Sequence, residues 1–172
     1  MDEVLLVDGY NVINAWPELA ELLSEDMGHA RDKLIEYLSG YGAYKQYQTM
    51  IVFDAHQADG PGGLEQITTA LAVVYTAEKE TADSYIERSA YVQVRQGRRV
   101  YVVTNDWAEQ LLILGAGAFR IPARELVQDV RKVQKEIRQG FSDAALKCRR
   151  QELGNRLDAD VAKRLDELRR KG

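Results

Sequence analysis

Three apolar runs of strand length each lead into an aspartate, and these acids mark where the chain could do chemistry. Residues 4–7 precede Asp8, residues 50–53 precede Asp54, and residues 100–103 run through two polar residues into Asp106. In open α/β sheets, the ligand crevice lies outside the carboxyl ends of the strands. One such acid could be a helix cap or a turn residue. Three acids at one edge would repel each other unless a cation lay between them, so together they predict a divalent metal site.

A fourth aspartate, Asp83, lies in the first turn of a predicted helix that opens at Glu80. A favourable interaction with the helix dipole is one sufficient explanation for an acid at this position. A helix that follows a parallel strand, however, begins at the same sheet edge, so we expect Asp83 to meet Asp8 and Asp106. Three carboxylates around magnesium suit phosphodiester hydrolysis, because the metal neutralises phosphate charge and lowers the pKa of bound water.

Polar neighbours of these acids are candidates for supporting roles. Asn11 lies just beyond the first strand, where it could orient a carboxylate or contact the scissile phosphate. Thr104 and Asn105 directly precede Asp106 and could hold it in place by hydrogen bonds. The chemistry is therefore expected to come from short polar segments at the ends of strands.

Composition limits which metals the chain can bind. Its only cysteine is Cys148 and its only histidines are His29 and His56, which excludes an internal disulfide and a zinc site of cysteines or several histidines. Oxygen ligands favour magnesium or manganese. No apolar run approaches the roughly 18 residues of a membrane span, and the N-terminus lacks the regions of a signal peptide. We therefore expect a cytoplasmic protein.

Charge is distributed unevenly along the chain. Residues 1–90 contain 5 Lys and Arg against 16 Asp and Glu, whereas residues 91–172 contain 18 against 11. Six cations lie near the predicted fifth strand or on the helix after it: Arg120, Arg124, Arg131, Lys132, Lys135 and Arg138. Either they bind phosphates of RNA, or they form a solvated helix face that pairs with Glu125, Asp129 and Glu136.

Apolar periodicity and turn signals predict strands that alternate with helices. Strands are expected at residues 3–8, 49–54, 72–76, 99–104 and 118–121, with further extended chain around residues 65–70. Helices are expected at residues 17–24, 28–45, 80–96, 106–112, 123–139 and 142–170. A turn is expected at Gly9, a loop at residues 56–63, and a break between the C-terminal basic helices at Gly140. This order predicts a three-layer α/β/α fold with a central parallel sheet of about five strands.

Five segments resemble, in order and spacing, the YacP-like NYN proteins, bacterial members of the PIN-like nuclease superfamily. The segments are VDGYN at 7–11, VFDAH at 52–56, ETADSYIER at 80–88, VTNDWAEQ at 103–110 and AREL at 123–126. The resemblance covers about residues 2–139, whereas the C-terminal residues match only in being helical and basic. Asn105 departs from the family, since relatives often carry serine there, but asparagine keeps the hydrogen-bonding capacity.

The resemblance implies a NYN/PIN-like nuclease domain at residues 1–139, with residues 140–172 as a helical extension packed on it or projecting from it. It implies an endoribonuclease that uses Mg²⁺ or Mn²⁺ to hydrolyse phosphodiester bonds in RNA. A characterised member of the family associates with ribosomes and cleaves mRNA in the A site. The expected partners are therefore mRNA and the ribosome, and we expect a monomer with no membrane contact.

The resemblance also implies roles for particular residues. Those that match the family's catalytic, metal-binding acids are Asp8, Asp83 and Asp106. Asn11 is a signature residue of the family. PIN-type sites often have four acids, and the fourth could be Asp54 or Glu80.

Two other classes of protein are weighed against a nuclease. A phosphatase of the haloacid-dehalogenase type also uses a strand-end aspartate, but it needs a second aspartate two residues later, where this chain has Tyr10. The main alternative is a non-catalytic ribosome- or RNA-binding factor with a vestigial PIN-like site. The presence of all three principal acids disfavours that alternative, and a metal-dependent nuclease assay would separate these classes.

Overall fold

A computed structural model describes residues 3–54, 62–105, 115 and 117–169, with the side chains of the last helix described to Cys148 and at Lys163. The strands are β1 (Glu3–Asp8), β2 (Gln48–Phe53), β3 (Gly63–Thr68), β4 (Leu71–Tyr75), β5 (Arg99–Val103) and β6 (Phe119–Ile121). The helices are α1 (Gly9–Ala15), α2 (Pro17–Glu25), α3 (Met27–Lys45), α4 (Ala82–Arg95) and α5 (Ala123–Arg169). The helix predicted at residues 106–112 lies outside the described residues.

The strands form one sheet in the order β3-β4-β2-β1-β5-β6. Neighbours pair in parallel, except that β3 is antiparallel to β4. The register brings the carboxyl ends together, because Asp8 of β1 is opposite Val52 and Phe53 of β2 is opposite Tyr75. The predicted α/β fold with a central parallel sheet is confirmed, and the antiparallel strand β3 adds a sixth strand to the sheet.

Both faces of the central strands β4, β2, β1 and β5 are largely buried, which explains why these strands are continuous apolar runs. Leu6 of β1 and Val102 of β5 pack with Ile86 of α4 in one core cluster. Because side chains alternate along a strand, Leu5 and Val7 lie on the other face, and both are fully buried. Helix α1 packs against β1 and β2, and helix α3 packs against β2. The sheet therefore lies between two helical layers, and its carboxyl edge is held by a rigid core.

The turn predicted at Gly9 is the first turn of a short helix. The Asp8 side chain caps α1, since its Oδ1 accepts a hydrogen bond of 3.1 Å from the backbone N–H of Asn11. Val12 and Ile13 of α1 are fully buried. Glycine at position 9 allows α1 to pack closely against Phe53, because a Cβ atom at this position would lie 2.3 Å from Cε1 of that ring.

Gly9→Ala is expected to lower the free energy of unfolding by about 2–3 kcal/mol, because the new methyl group would overlap a fully buried ring. Gly40→Ala is the matched control, since Gly40 is exposed in α3 and a Cβ atom there would meet nothing within 4 Å. That control should raise stability by about 0.5–1 kcal/mol. Urea denaturation of both variants measures the difference, and equal effects would contradict the packing explanation.

Two predicted features differ from the structure for physical reasons. The sequence indicates the edge strand β3 only as extended chain around residues 65–70, because its apolar residues, Leu64 and Ile67, are three apart and exposed, and its register shifts between Gln66 and Thr68. The predicted break at Gly140 is wrong, since α5 runs through it. A glycine in a helix costs only about 1 kcal/mol relative to alanine. The residues predicted to form separate C-terminal basic helices therefore form one continuous helix.

The chain divides into two compact units, Met1–Val133 and Gln134–Gly172. The first contains the sheet, helices α1 to α4 and the beginning of α5. In that unit Leu126 of α5 is buried, and the hydroxyl of Tyr41 in α3 donates a hydrogen bond of 2.8 Å to Asp129. The second unit is the rest of α5. None of the helices in the described part of the chain is both long and apolar enough to cross a membrane.

Candidate functional site

A cavity of about 470 Å³ opens at the carboxyl edge of the sheet. Most of the side chains around it carry oxygen atoms. The described lining residues are Asp8, Tyr10, Asn11, Asn14, Ala15, Asp54, Ala82, Asp83 and Asn105. They come from the ends of β1 and β2, from α1, from the first turn of α4 and from the segment after β5. Distant parts of the chain therefore bring three carboxylates and three amides to one place.

Asp8 is the carboxylate whose ionisation this environment perturbs most clearly. Burial raises the pKa of Asp8 to about 6, the hydrogen bond from Asn11 opposes the rise, and the charges of Asp83 and Asp54 add to it. A carboxyl group with a raised pKa in a cleft is typical of functional sites. A cation bound beside it would favour the ionised form.

Asp83 and Asp54 reach the cavity from different elements. Asp83 lies in the first turn of α4, where the capping bond is made by Thr81, whose Oγ1 accepts a hydrogen bond of 3.2 Å from the backbone N–H of Ser84. Thr81 supplies the cap of α4, and Asp83 lines the cavity. Asp54 directly follows β2. The structure thus brings Asp8, Asp54 and Asp83 together.

Asp106 lies outside the described residues, as does His56. Among the residues that the structure does describe, no three His, Cys, Asp or Glu side chains already form a group that could hold a metal ion. The described residues around the cavity nevertheless offer carboxylate and amide oxygens and no sulfur or imidazole. These are the ligands that magnesium and manganese prefer, so the donor set fits either ion.

Asn105 and Thr104 stabilise the start of α5 and the end of β6. Oδ1 of Asn105 accepts a hydrogen bond of 3.1 Å from the backbone N–H of Ala123, the first residue of α5. Thr104 is fully buried, and its carbonyl oxygen accepts a hydrogen bond of 3.1 Å from Nε of Arg120. Arg120 therefore makes an internal contact beside the segment that leads to Asp106.

Of the two candidates for a further acid, only Asp54 lines the cavity. Glu80 forms an ion pair of 2.5 Å with Arg88 on α4 and is not among the lining residues. The Asp54 carboxylate also contributes to the raised pKa of Asp8. The geometry favours Asp54 over Glu80 as the additional acid.

A second cavity of about 450 Å³ adjoins the first, since Ala15 and Asn105 line both. Its other described lining residues are Pro122, Arg124 and Glu125, at the start of α5. Arg124 is exposed. One predicted RNA-binding cation therefore lies next to the acidic cavity, on the β6 side of the sheet.

The remaining predicted RNA-binding cations lie further along α5. Arg131 forms an ion pair of 3.1 Å with Glu18 of α2, not with an acid of its own helix. Lys132 is exposed. In the second unit, Lys135 and Arg138 are exposed as well. Of these four, only Arg131 is engaged in an ion pair in the described part of the chain.

Sequence analysis missed two side chains of the acidic cavity, Asn14 and Tyr10. Asn14 lies one helical turn after Asn11, and both line the cavity. This spacing would have been informative had α1 been recognised as a helix. Tyr10 is buried with its ring edge against Phe53, at a centroid distance of 5.1 Å. No sequence signal distinguishes such a tyrosine from one in the core.

The strand order and the acid-bearing edge define a three-layer α/β/α domain of the PIN-like NYN class. The chain belongs to the YacP-like NYN domain family, whose model matches residues 5–170. The uncharacterized protein YacP of Bacillus subtilis (strain 168) is 40% identical to it over 137 residues, which are 78% of this chain and 79% of that relative.

Solved structures of a Bacillus subtilis protein agree with this family assignment. The crystal structure of Rae1 (YacP) from Bacillus subtilis matches 99% of this chain and 95% of its own, with a TM-score of 0.75 and 35% identity. The structure of a tryptophan-to-leucine mutant of that protein matches 79% of each chain, with a TM-score of 0.68 and 38% identity. The nuclease-like fold is therefore shared with a solved relative.

Proposed function

We propose that this chain is a metal-dependent endoribonuclease that hydrolyses phosphodiester bonds in mRNA. The observation that carries the proposal is the cavity at the carboxyl edge of the sheet, where Asp8, Asp54 and Asp83 meet and where the pKa of Asp8 is raised to about 6. Membership of the NYN family, which has a nuclease-like fold, supports the same conclusion.

The proposed catalytic acids are Asp8, Asp83 and Asp106, with Asp54 as a further acid and Mg²⁺ or Mn²⁺ as the cofactor. A divalent metal held by these carboxylates would neutralise phosphate charge and lower the pKa of a bound water. The oxygen-rich lining of the cavity suits such an ion. Asp8 is expected to bind the metal best when its carboxylate is ionised. Because its pKa is raised to about 6, the carboxylate of the metal-free protein is mostly ionised only above about pH 6.

Amide side chains are proposed to position the RNA. Asn11 and Asn14 lie one turn apart on α1 and both line the cavity. An amide can donate to a phosphate oxygen and accept from a ribose hydroxyl, so these residues are suited to hold the strand beside the acids. Asn105 fixes the first residue of α5, and exposed Arg124 would contact a neighbouring phosphate.

The choice of mRNA on the ribosome is proposed from the family resemblance. The A site of the translating ribosome is the proposed place of cleavage, in the cytoplasm, by a monomer. The other cations proposed to contribute affinity for RNA are Arg120, Arg131, Lys132, Lys135 and Arg138. Such contacts would strengthen binding without reading sequence, since they address phosphates.

A cleavage assay with matched single-stranded RNA and DNA oligonucleotides tests the proposed chemistry. We expect internal cleavage of RNA in Mg²⁺ or Mn²⁺, no cleavage in EDTA, and no cleavage of DNA. RNA binding without cleavage in either metal would instead support a non-catalytic RNA-binding factor. Cleavage that persists in EDTA would contradict the metal requirement.

Sequencing of RNA 5′ ends from cells with and without the protein tests the proposed substrate. We expect protein-dependent ends inside open reading frames, because A-site cleavage requires a translating ribosome. Those ends should disappear when initiation of translation is blocked. Ends that persist under the block would show that the ribosome is not required.

A further inference from the structure

Arg31 is a cation beside the acidic cavity that no acid neutralises in the described part of the chain. Residues 1–90 contain only 5 Lys and Arg. Three of them are in ion pairs: Lys33 with Glu36, Lys45 with Asp129, and Arg88 with Glu80. For Arg31, the structure shows no carboxylate within ion-pair distance among the residues it describes. Its charge therefore remains available to a ligand.

Aromatic side chains hold the guanidinium of Arg31 in place. Its carbon Cζ lies 5.7 Å from the centroid of the Tyr75 ring, and its Nη1 donates a long hydrogen bond of 3.5 Å to the hydroxyl of Tyr10. Phe53 connects the two tyrosines, since it contacts the Tyr10 ring and stacks on the Tyr75 ring. These contacts restrict the side chain and leave its charge in place.

The position of Arg31 relates it to the acids. Tyr10 lines the acidic cavity, and Tyr75 ends β4, the strand next to β2. Asp54, which lines the same cavity, directly follows β2, and β2 lies between β4 and β1 in the sheet. Arg31 thus lies on the β4 side of the acids, opposite to Arg124.

A nucleic acid strand along this edge needs cations on both sides of the acids. The three aspartates repel phosphates, and a bound metal compensates this only for the phosphate that it contacts. Neighbouring strands are about 4.8 Å apart, so the edge from β4 to β6 spans roughly 19 Å. That length exceeds one phosphodiester. Flanking phosphates would therefore depend on cations of the protein.

We infer that Arg31 binds a phosphate of RNA that flanks the scissile bond on the β4 side, with Tyr10 and Tyr75 holding its guanidinium in position. This inference rests on the proposed function, and it adds a binding residue to the same site. A planar guanidinium can donate two parallel hydrogen bonds to phosphate. The contacts with Tyr75 and Tyr10 restrict the side chain before RNA arrives, which reduces the entropy lost on binding.

Binding of a fluorescent single-stranded RNA in EDTA tests this role without cleavage. Arg31→Gln should weaken binding about tenfold at low salt, the effect of losing one hydrogen bond between charged groups. It should also reduce the slope of log K against log salt by about 0.7, the value for one phosphate of a single strand. Arg31→Lys keeps the charge but lacks the planar guanidinium, so its affinity for RNA should lie between those of Arg31→Gln and the wild type.

Lys33→Gln is the matched control. It removes the same charge two residues along α3, but Lys33 is paired with Glu36 and contacts the ring of Tyr37, at 5.2 Å from its centroid, instead of Tyr75. The affinity of Lys33→Gln for RNA, and the slope of log K against log salt, should equal those of the wild type. Thermal midpoints of all variants show whether each is folded.

Replacing single phosphates of the RNA by neutral methylphosphonates locates the contact. We expect one position at which the neutral group weakens binding to the wild type but not to Arg31→Gln, because both changes remove the same interaction. If every position affects both proteins equally, Arg31 does not bind a phosphate.

The inference and the proposed function fail in different ways. If the wild type binds and cleaves RNA while Arg31→Gln behaves like Lys33→Gln, the role of Arg31 is wrong and the proposed function stands. If the wild type neither binds nor cleaves RNA, the proposed function is wrong and the inference fails with it.

Discussion

Asp83→Asn is expected to lower the rate of RNA cleavage about a thousandfold, the size of effect seen when one group that stabilises transition-state charge is removed. Asparagine has almost the same shape as aspartate, but it removes a carboxylate that lines the acidic cavity. Thr81 supplies the capping bond of α4, so the helix should remain intact. Single-turnover cleavage of a 5′-labelled RNA in Mn²⁺ gives the rate, and a thermal melt reports on the fold.

Glu87→Gln is the matched control for that variant. Glu87 is an exposed acid on α4, one turn after Asp83, and it does not line the cavity. Its removal changes the net charge by the same amount and should leave the cleavage rate unchanged. Similar rates for both variants and the wild type would place the chemistry elsewhere on the molecule.

Asp8→Asn is expected to make the metal-free protein more stable at pH 7.5, by about 1–3 kcal/mol, because a pKa difference of one between the folded and unfolded states corresponds to about 1.4 kcal/mol. Burial, with Asp83 and Asp54 adding to it, raises the pKa of Asp8 to about 6. Asparagine is as good an N-cap as aspartate, so α1 keeps its capping bond. The variant should lose RNA cleavage while gaining stability, which a purely structural residue would not do.

The pH dependence follows from the direction in which the pKa of Asp8 is displaced. Between about pH 4 and pH 6, the folded protein retains a proton on Asp8 that the unfolded chain has released. Ionisation of Asp8 therefore costs stability progressively as the pH rises through this window, and the full cost is present above it. The advantage of Asp8→Asn should accordingly be largest at pH 7.5 and should vanish towards pH 4.

Urea denaturation in EDTA at pH 4.5 and pH 7.5 measures this effect. Asp26→Asn is the matched control, because Asp26 is an exposed N-cap of α3 that accepts a hydrogen bond of 3.0 Å from the backbone N–H of His29. The control should change stability little, and equally at both pH values. A loss of stability in Asp8→Asn at pH 7.5 would show that the ionised carboxylate stabilises the fold.

The central strands could be predicted from sequence because their residues are buried on both faces. Continuous apolar runs such as Val4 to Val7 are typical of strands that are buried on both faces, so they can be recognised from the sequence alone. The helix α1 could not be predicted, since it has only 7 residues and contains glycine and asparagine. The Asp8 cap and the burial of Val12 and Ile13 stabilise it, and these depend on the folded sheet.

The gathering of Asp8, Asp54 and Asp83 could be anticipated from topology, because strand ends and the start of a following helix meet at one edge. Other features of the site depend on contacts between distant segments. Arg31 is placed by the Tyr75 ring and the Tyr10 hydroxyl, which no spacing along the chain reveals.

Anomalous diffraction from crystals soaked in Mn²⁺ tests the central claim most directly, because it locates the metal without relying on activity. We expect a peak in the cavity at the carboxyl edge of the sheet, about 2.1 Å from carboxylate oxygens of Asp8 and Asp83. The same soak of Asp83→Asn crystals should give a weaker peak or none. A protein that cleaves RNA but binds Mn²⁺ only outside this cavity would contradict the proposed site.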